Sequence, residues 1–151
     1  MRKFFVFVVG IILSLSLFTG CSKSHSALSV DDFKKILEDN KYEVNDASED
    51  FQDDEKIDKV IIGYNESMQI EFYIFKDEKG AKDMFESNKQ TFQELKESTS
   101  SEEYENDKKY GKYSLITGEE YMYIERRDNT IIYLRTPVSN YNDARDLLLK
   151  L

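Results

Sequence analysis

The chain has 151 residues, with 30 acidic side chains, 21 basic ones and a formal charge of −9. That length suits one domain rather than two, and 40% hydrophobic against 34% charged residues fits a folded core rather than a disordered tail. One cysteine and one histidine exclude a disulfide scaffold and a cysteine-rich zinc site, and a chain this acidic offers nucleic-acid phosphates no basic patch.

Arg2 and Lys3 precede a nearly unbroken apolar run from Phe4 to Phe18. A positive start followed by roughly 7–15 apolar residues is the pattern of a secretory signal peptide. The run falls short of the about 20 apolar residues that a spanning helix needs. Residues 1–20 are therefore expected to be a leader. Its end, Leu17-Phe18-Thr19-Gly20-Cys21, resembles the lipobox of bacterial lipoproteins. Thr19, Gly20 and Cys21 carry the resemblance; Phe18 is bulkier than the aliphatic residue usual at its position. The resemblance implies that Cys21 is thioether-linked to diacylglycerol, becomes the mature N-terminus and anchors the chain at the outer face of the cell membrane. Two acyl chains anchor stably where one is marginal.

Loss of Arg2 and Lys3 with the leader takes the formal charge from −9 to −11. Such a domain is repelled by anionic head groups and stands off the surface on its tether. Residues 21–29 form that tether, Ser-rich from Ser22 to Ala27, and hold the lone His25. The expected domain, 30–151, contains no cysteine or histidine. Zinc-hydrolase, thiol, haem and Ser-His-Asp chemistries are thereby excluded on inventory. Neither G-x-G-x-x-G nor a P-loop motif occurs. No cofactor and no metal is expected.

Ser29 with Asp32 forms the outline of a capping box, and Val30, Phe33, Ile36 and Leu37 recur at helical spacing, predicting a helix that ends near Asn40. A short strand is expected over Tyr42–Asn45. Asp46 to Asp58 holds seven carboxylates and reads as a solvated loop. It lacks the spacing and the glycine of a calcium-binding EF-hand loop. Ile57–Tyr64 and Met68–Phe75 read as a strand pair. In the second, Met68, Ile70, Phe72 and Ile74 alternate with Gln69, Glu71, Tyr73 and Phe75, which puts the even positions in the core.

Asp77 is the expected N-cap of a long helix to about Leu95, with Ala81, Met84, Phe85, Phe92 and Leu95 on one stripe. Glu97–Asp107 reads as a mobile connection. Three strands follow, Tyr110–Thr117, Glu120–Arg126 and Thr130–Thr136, the first two joined at Gly118-Glu119. The next turn admits two registers. A three-residue loop, Arg127-Asp128-Asn129 with Asn129 left-handed, places Met122 and Ile124 with Ile132 and Leu134; a two-residue turn mixes these sets. The longer loop is preferred because it sorts apolar from amphipathic side chains. Pro137 stops the last strand, and Ser139 or Asn140 caps a terminal helix with Ala144, Leu147, Leu148 and Leu151 inward.

The predicted order is α-β-β-β-α-β-β-β-α: an α+β fold with a mainly antiparallel sheet and its helices packed on one face. Helix-then-three-strands occurs twice, without convincing residue identity between the halves.

In the preferred register Tyr121, Tyr123, Tyr133 and Arg135 share one face. Tyrosine and arginine are favoured at binding hot spots, although β-propensity alone also places tyrosines in strands. Glu119, Glu120 and Glu125 are the candidates for a carboxylate pair of the glycosidase kind. The small size and missing catalytic inventory favour a non-enzymatic binding module for an envelope protein, peptide or glycan. An acidic inhibitor or immunity-type protein that blocks a cationic enzyme or toxin is the alternative, and a carboxylate-dependent cell-wall hydrolase is a third reading. In size, acidity and element pattern the whole chain is similar to small uncharacterised lipoproteins of Gram-positive bacteria, a likeness that implies a location and no activity.

Overall fold

The computed structural model describes residues 26–151. The expected leader over residues 1–20, Cys21 and His25 lie outside the described residues. Helix α1 (Val30–Asp39) is followed by strand β1 (Glu43–Asp46), a 3-10 turn (Ser48–Phe51), β2 (Ile57–Tyr64) and β3 (Gln69–Phe75). Helix α2 (Glu78–Glu94) leads into β4 (Ser101–Asn106), β5 (Tyr110–Thr117), β6 (Glu120–Arg127) and β7 (Thr130–Pro137). A second 3-10 turn (Val138–Asn140) opens α3 (Tyr141–Leu148). All seven strands join one antiparallel sheet in the order β1-β2-β3-β7-β6-β5-β4, so the fold is α+β.

Two helix starts follow the expected local chemistry. The Ser29 hydroxyl accepts the Asp32 amide at 3.1 Å, and the Asp77 carboxylate accepts the Gly80 amide at 2.8 Å. Each bond satisfies an amide that a helix start leaves without an internal partner. At α3 the expectation is corrected: neither Ser139 nor Asn140 caps through its side chain. The Asn140 amide group instead donates to the Ser67 carbonyl at 2.8 Å and to the Thr136 hydroxyl at 3.0 Å, tying the β2–β3 turn to the end of β7.

The helices divide between the two faces of the sheet, which corrects the one-face arrangement. On the first face Phe33 and Leu37 of α1 and Ala144 and Leu147 of α3 pack with Ile61, Ile70, Phe72, Tyr121, Tyr123, Ile132 and Leu134. On the second, Ala81, Phe85 and Phe92 of α2 pack with Val60, Tyr73, Phe75, Tyr113, Leu115, Met122, Ile124 and Ile131. The strands carry apolar residues at successive positions, not only alternate ones, so both faces lose water by being covered. Phe33 lies on Phe72 with ring centroids 4.7 Å apart, a pairing that contributes about 0.5–1.5 kcal/mol beyond the buried area. Close approach of α1 to β2 needs Gly63, where a Cβ would stand 2.3 Å from Leu37 Cδ1. A dyad through the central β3–β7 pair would bring both halves' helices to one face. Because α1 and α2 lie on opposite faces, the halves are not such a repeat.

The β6–β7 register also differs from the preferred one. Arg127 pairs with Thr130, leaving Asp128-Asn129 as a two-residue turn, and the positive φ (51°) falls on Asp128 rather than Asn129. Neighbouring strands hold this turn. Asn129 exchanges bonds with Phe75, its carbonyl accepting the Phe75 amide at 2.9 Å and its side chain donating to the Phe75 carbonyl at 2.7 Å. The Asp128 amide donates to the Lys109 carbonyl at 2.7 Å. Sorting apolar from amphipathic residues chooses a register only where one face is wet, and β6 and most of β7 are buried on both.

Two segments expected to be loops are partly ordered. Within Glu97–Asp107, Ser101–Asn106 forms β4, the outer strand, with all six residues exposed. Within the acidic stretch, the Ser48 hydroxyl donates to Asp46 at 2.5 Å and accepts the Val60 amide at 3.1 Å. Phe51 meets Tyr73 edge-on at 5.8 Å and pins the 3-10 turn to the sheet.

Candidate functional site

The first face of the sheet is only partly covered. Where β6, β5 and β4 run out beyond α3, a groove of about 280 Å³ remains. Its floor carries Lys112, Ser114, Ile116, Tyr121 and Tyr123, with Ser101 and Glu103 of β4 along one wall and Tyr141, Arg145 and Leu149 along the other. Strand alternation accounts for the floor: the β5–β6 register sets Ser114 opposite Tyr123 and Ile116 opposite Tyr121. Helical spacing accounts for the second wall, since Tyr141 and Arg145 stand one turn apart.

Tyr121 and Tyr123 are built into the floor rather than displayed on it. Tyr121 and Tyr123 are 5% and 7% exposed, and Tyr121 meets Tyr141 edge-on at 4.9 Å. Burial raises the pKa of both phenols, with the neighbouring Tyr141 adding to the rise at Tyr121 and Glu125 at Tyr123. They therefore offer the groove neutral hydroxyls and ring edges. Its cations are already matched: Lys112 lies 3.0 Å from Glu103, and Arg145 lies 3.0 Å from Asp146.

Beneath the groove runs a buried polar chain. Tyr123 donates its hydroxyl proton to Glu125, whose other carboxylate oxygen accepts from Arg127 Nε at 2.6 Å. Arg127 also donates to the Leu151 backbone oxygen at 2.8 Å. The Glu125 side chain is 4% exposed, so this pair is a structural tie between β6 and the segment after α3.

Of the four residues expected on one face, the structure brings together only two. Tyr121 and Tyr123 line the groove, whereas Tyr133 and Arg135 lie on the second face. There Tyr133 packs on Phe92 at 5.9 Å, and Arg135 grips Glu120 through two bonds of 3.0 and 2.5 Å. The shared Tyr/Arg surface is corrected by the register: Tyr123 pairs with Leu134, and Ile124 with Tyr133. The candidate carboxylates do not converge either, because Glu120 and Glu125 are on opposite faces and Glu119 is in the turn. The sequence reading missed Ser101, Glu103, Lys112, Ser114, Tyr141 and Arg145. Only the Tyr141–Arg145 helical spacing was visible in the chain, and nothing in it says which strand that pair faces.

Among the described residues no group of three acidic, histidine or cysteine side chains is placed to hold a metal ion, and no helix is long and apolar enough to cross a membrane. Fold and geometry together define an α+β domain with a mixed aromatic and charged groove beside the β4 edge of its sheet. No protein-family model matches the chain, and neither does any curated protein. It is similar to the crystal structure of a GTP binding regulator from Thermotoga maritima, at 21% identity and a TM-score of 0.41, over 74% of this chain and 80% of that one.

Proposed function

We propose that this protein is a non-enzymatic binding module held at the outer face of the cell membrane by a lipid on Cys21. It takes an envelope protein, peptide or glycan at the groove between α3 and β4–β6. The groove is the observation that carries the reading: it joins tyrosine rings, hydroxyls and paired charges in one concave surface, the mixture that fixes a ligand's position and orientation. The separation of Glu120 from Glu125 counts against hydrolysis, which needs two carboxylates flanking one bond. The lipobox resemblance supports the anchor.

The test is site-specific photo-crosslinking in cells, using the full-length chain. A photoreactive residue replaces Leu149, 76% exposed at the groove rim, or Leu95, 42% exposed at the end of α2. Discrete adducts at Leu149 and none at Leu95 are expected. Equal labelling at both, or none at either, overturns the groove as the binding site. Cys21→Ser should abolish incorporation of labelled fatty acid and release the protein from the membrane fraction. Retained acylation in that variant overturns the anchor.

A further inference from the structure

The wall of the groove formed by β4 is also one of the two edges of the sheet. β4 ends the strand order, pairs only with β5 and has all six residues exposed. Its hydrogen-bonding groups can be assigned to sides. The Asp107 amide bonds the Tyr110 carbonyl at 2.8 Å, so pairs alternate from there along the antiparallel ladder. Glu105, Glu103 and Ser101 therefore bond inward to Lys112, Ser114 and Ile116. The amides and carbonyls of Asn106, Tyr104 and Glu102 point outward, into solvent. An unpaired row of this kind is a template for one more strand.

The side chains along the edge restrict which strand can come. Glu103 and Glu105 stand on the groove face; Glu102, Tyr104 and Asn106 stand on the other. The strand bears three carboxylates and no cation. A second copy of β4 would set carboxylate against carboxylate, so self-pairing is opposed, since like charges directly across strands destabilise. On the far face Tyr104 is 51% exposed, its ring meeting Lys89 Nζ at 4.8 Å and Tyr113 at 6.1 Å, and the part left open suits a β-branched or aromatic side chain.

We infer that β4 receives an extended peptide segment by strand addition, with cationic side chains on the groove face beside Glu103 and Glu105 and β-branched or aromatic ones against Tyr104. Backbone bonds to Glu102, Tyr104 and Asn106 supply the docking, and alternate side chains supply the selection, as strand-adding recognition does elsewhere. The Glu103–Lys112 pair does not block this. Glu103 is 69% exposed, and exposed ion pairs exchange partners at little cost. The inference rests on the binding-module reading and names its partner as a basic extended peptide.

The experiment uses the full-length protein in detergent, isotope-labelled, with two probes: an eight-residue peptide alternating lysine with valine, and fully N-acetylated chitotriose as the neutral glycan. The lysine peptide is expected to shift the amide signals of Glu102, Tyr104 and Asn106, and to bind at least tenfold more weakly when salt is raised. A glutamate–valine peptide should not bind. Tyr104→Pro removes one outward amide without touching a β4–β5 bond, and should weaken binding at least tenfold beyond Tyr104→Ala. Glu103→Lys with Glu105→Lys should reverse the preference to the glutamate peptide. Equal binding by Tyr104→Pro and Tyr104→Ala, or no lysine-peptide shifts on β4, overturns strand addition. Chitotriose shifts at Ser114 and Tyr121 without peptide binding would overturn it while leaving the binding module standing. Silence with both probes and no crosslinked adduct at Leu149 would remove both readings.

Discussion

Glu125 is a buried carboxylate, its side chain 4% exposed, and Arg127 is its ion-pair partner. A buried ion pair is poor evidence of net stabilisation, because desolvation offsets most of the attraction. Breaking one is a different matter, since the remaining charge is stranded. Arg127→Ala should therefore destabilise the domain by about 3 kcal/mol, whereas Arg127→Lys, which keeps the charge but loses the fork, should cost less. Denaturant midpoints of the two variants check the order. At this scale Tyr121 and Tyr123 were legible as candidates from residue type alone. Tyr133 and Arg135 were not separable from them, because the side chain's face depends on a register that the hairpin's own residues leave open.

At the scale of elements, the helix starts were written into the chain. Ser29 and Asp77 cap through bonds to residues three positions away, so nothing distant is needed to recognise them. Ser29→Ala and Asp77→Ala should each cost about 1 kcal/mol by thermal or chemical unfolding. Their effects should add in the double variant, because the two helices lie on opposite sides of the sheet and share no partner. Asn140 shows the limit of the same reasoning. It has a capping residue's chemistry, yet Ser67, far away in sequence, claims its side chain. β4 shows another limit: Ser101–Asn106 has no apolar face at all, and is a strand because β5 offers it a ladder.

At the scale of the whole described domain, covering both faces of the sheet buries several phenols. Tyr73, Tyr110, Tyr113, Tyr121 and Tyr123 all have pKa values raised above 10.0, with burial the first cause in each. A raised value in the folded state means that folding favours the protonated form. The contribution is complete below the unfolded value near 10 and is lost as pH climbs through the folded values. Stability should thus hold to about pH 10 and then fall steeply. Phenolate absorbance should rise together with loss of the circular dichroism signal. Gradual ionisation of these tyrosines with the spectrum of the fold intact would contradict their burial.

The sequence by itself determined the class of fold, the positions of the three helices and six of the seven strands, and the two side-chain caps, because periodicity and short-range bonds decide these locally. It also holds the apolar run from Phe4 to Phe18 and the Thr19-Gly20-Cys21 ending, on which the expectation of a leader and a lipobox rests. Tertiary structure decided the rest. A strand with apolar residues on both sides does not say which helix covers which face, so α2 was free to cross to the other side of the sheet from α1 and α3. That crossing buries both sets of side chains, removes the reason for the longer β6–β7 loop and separates Tyr133 from Tyr123. The groove then exists because α3 stops short of β4, a matter of where elements end against one another, which no local pattern encodes.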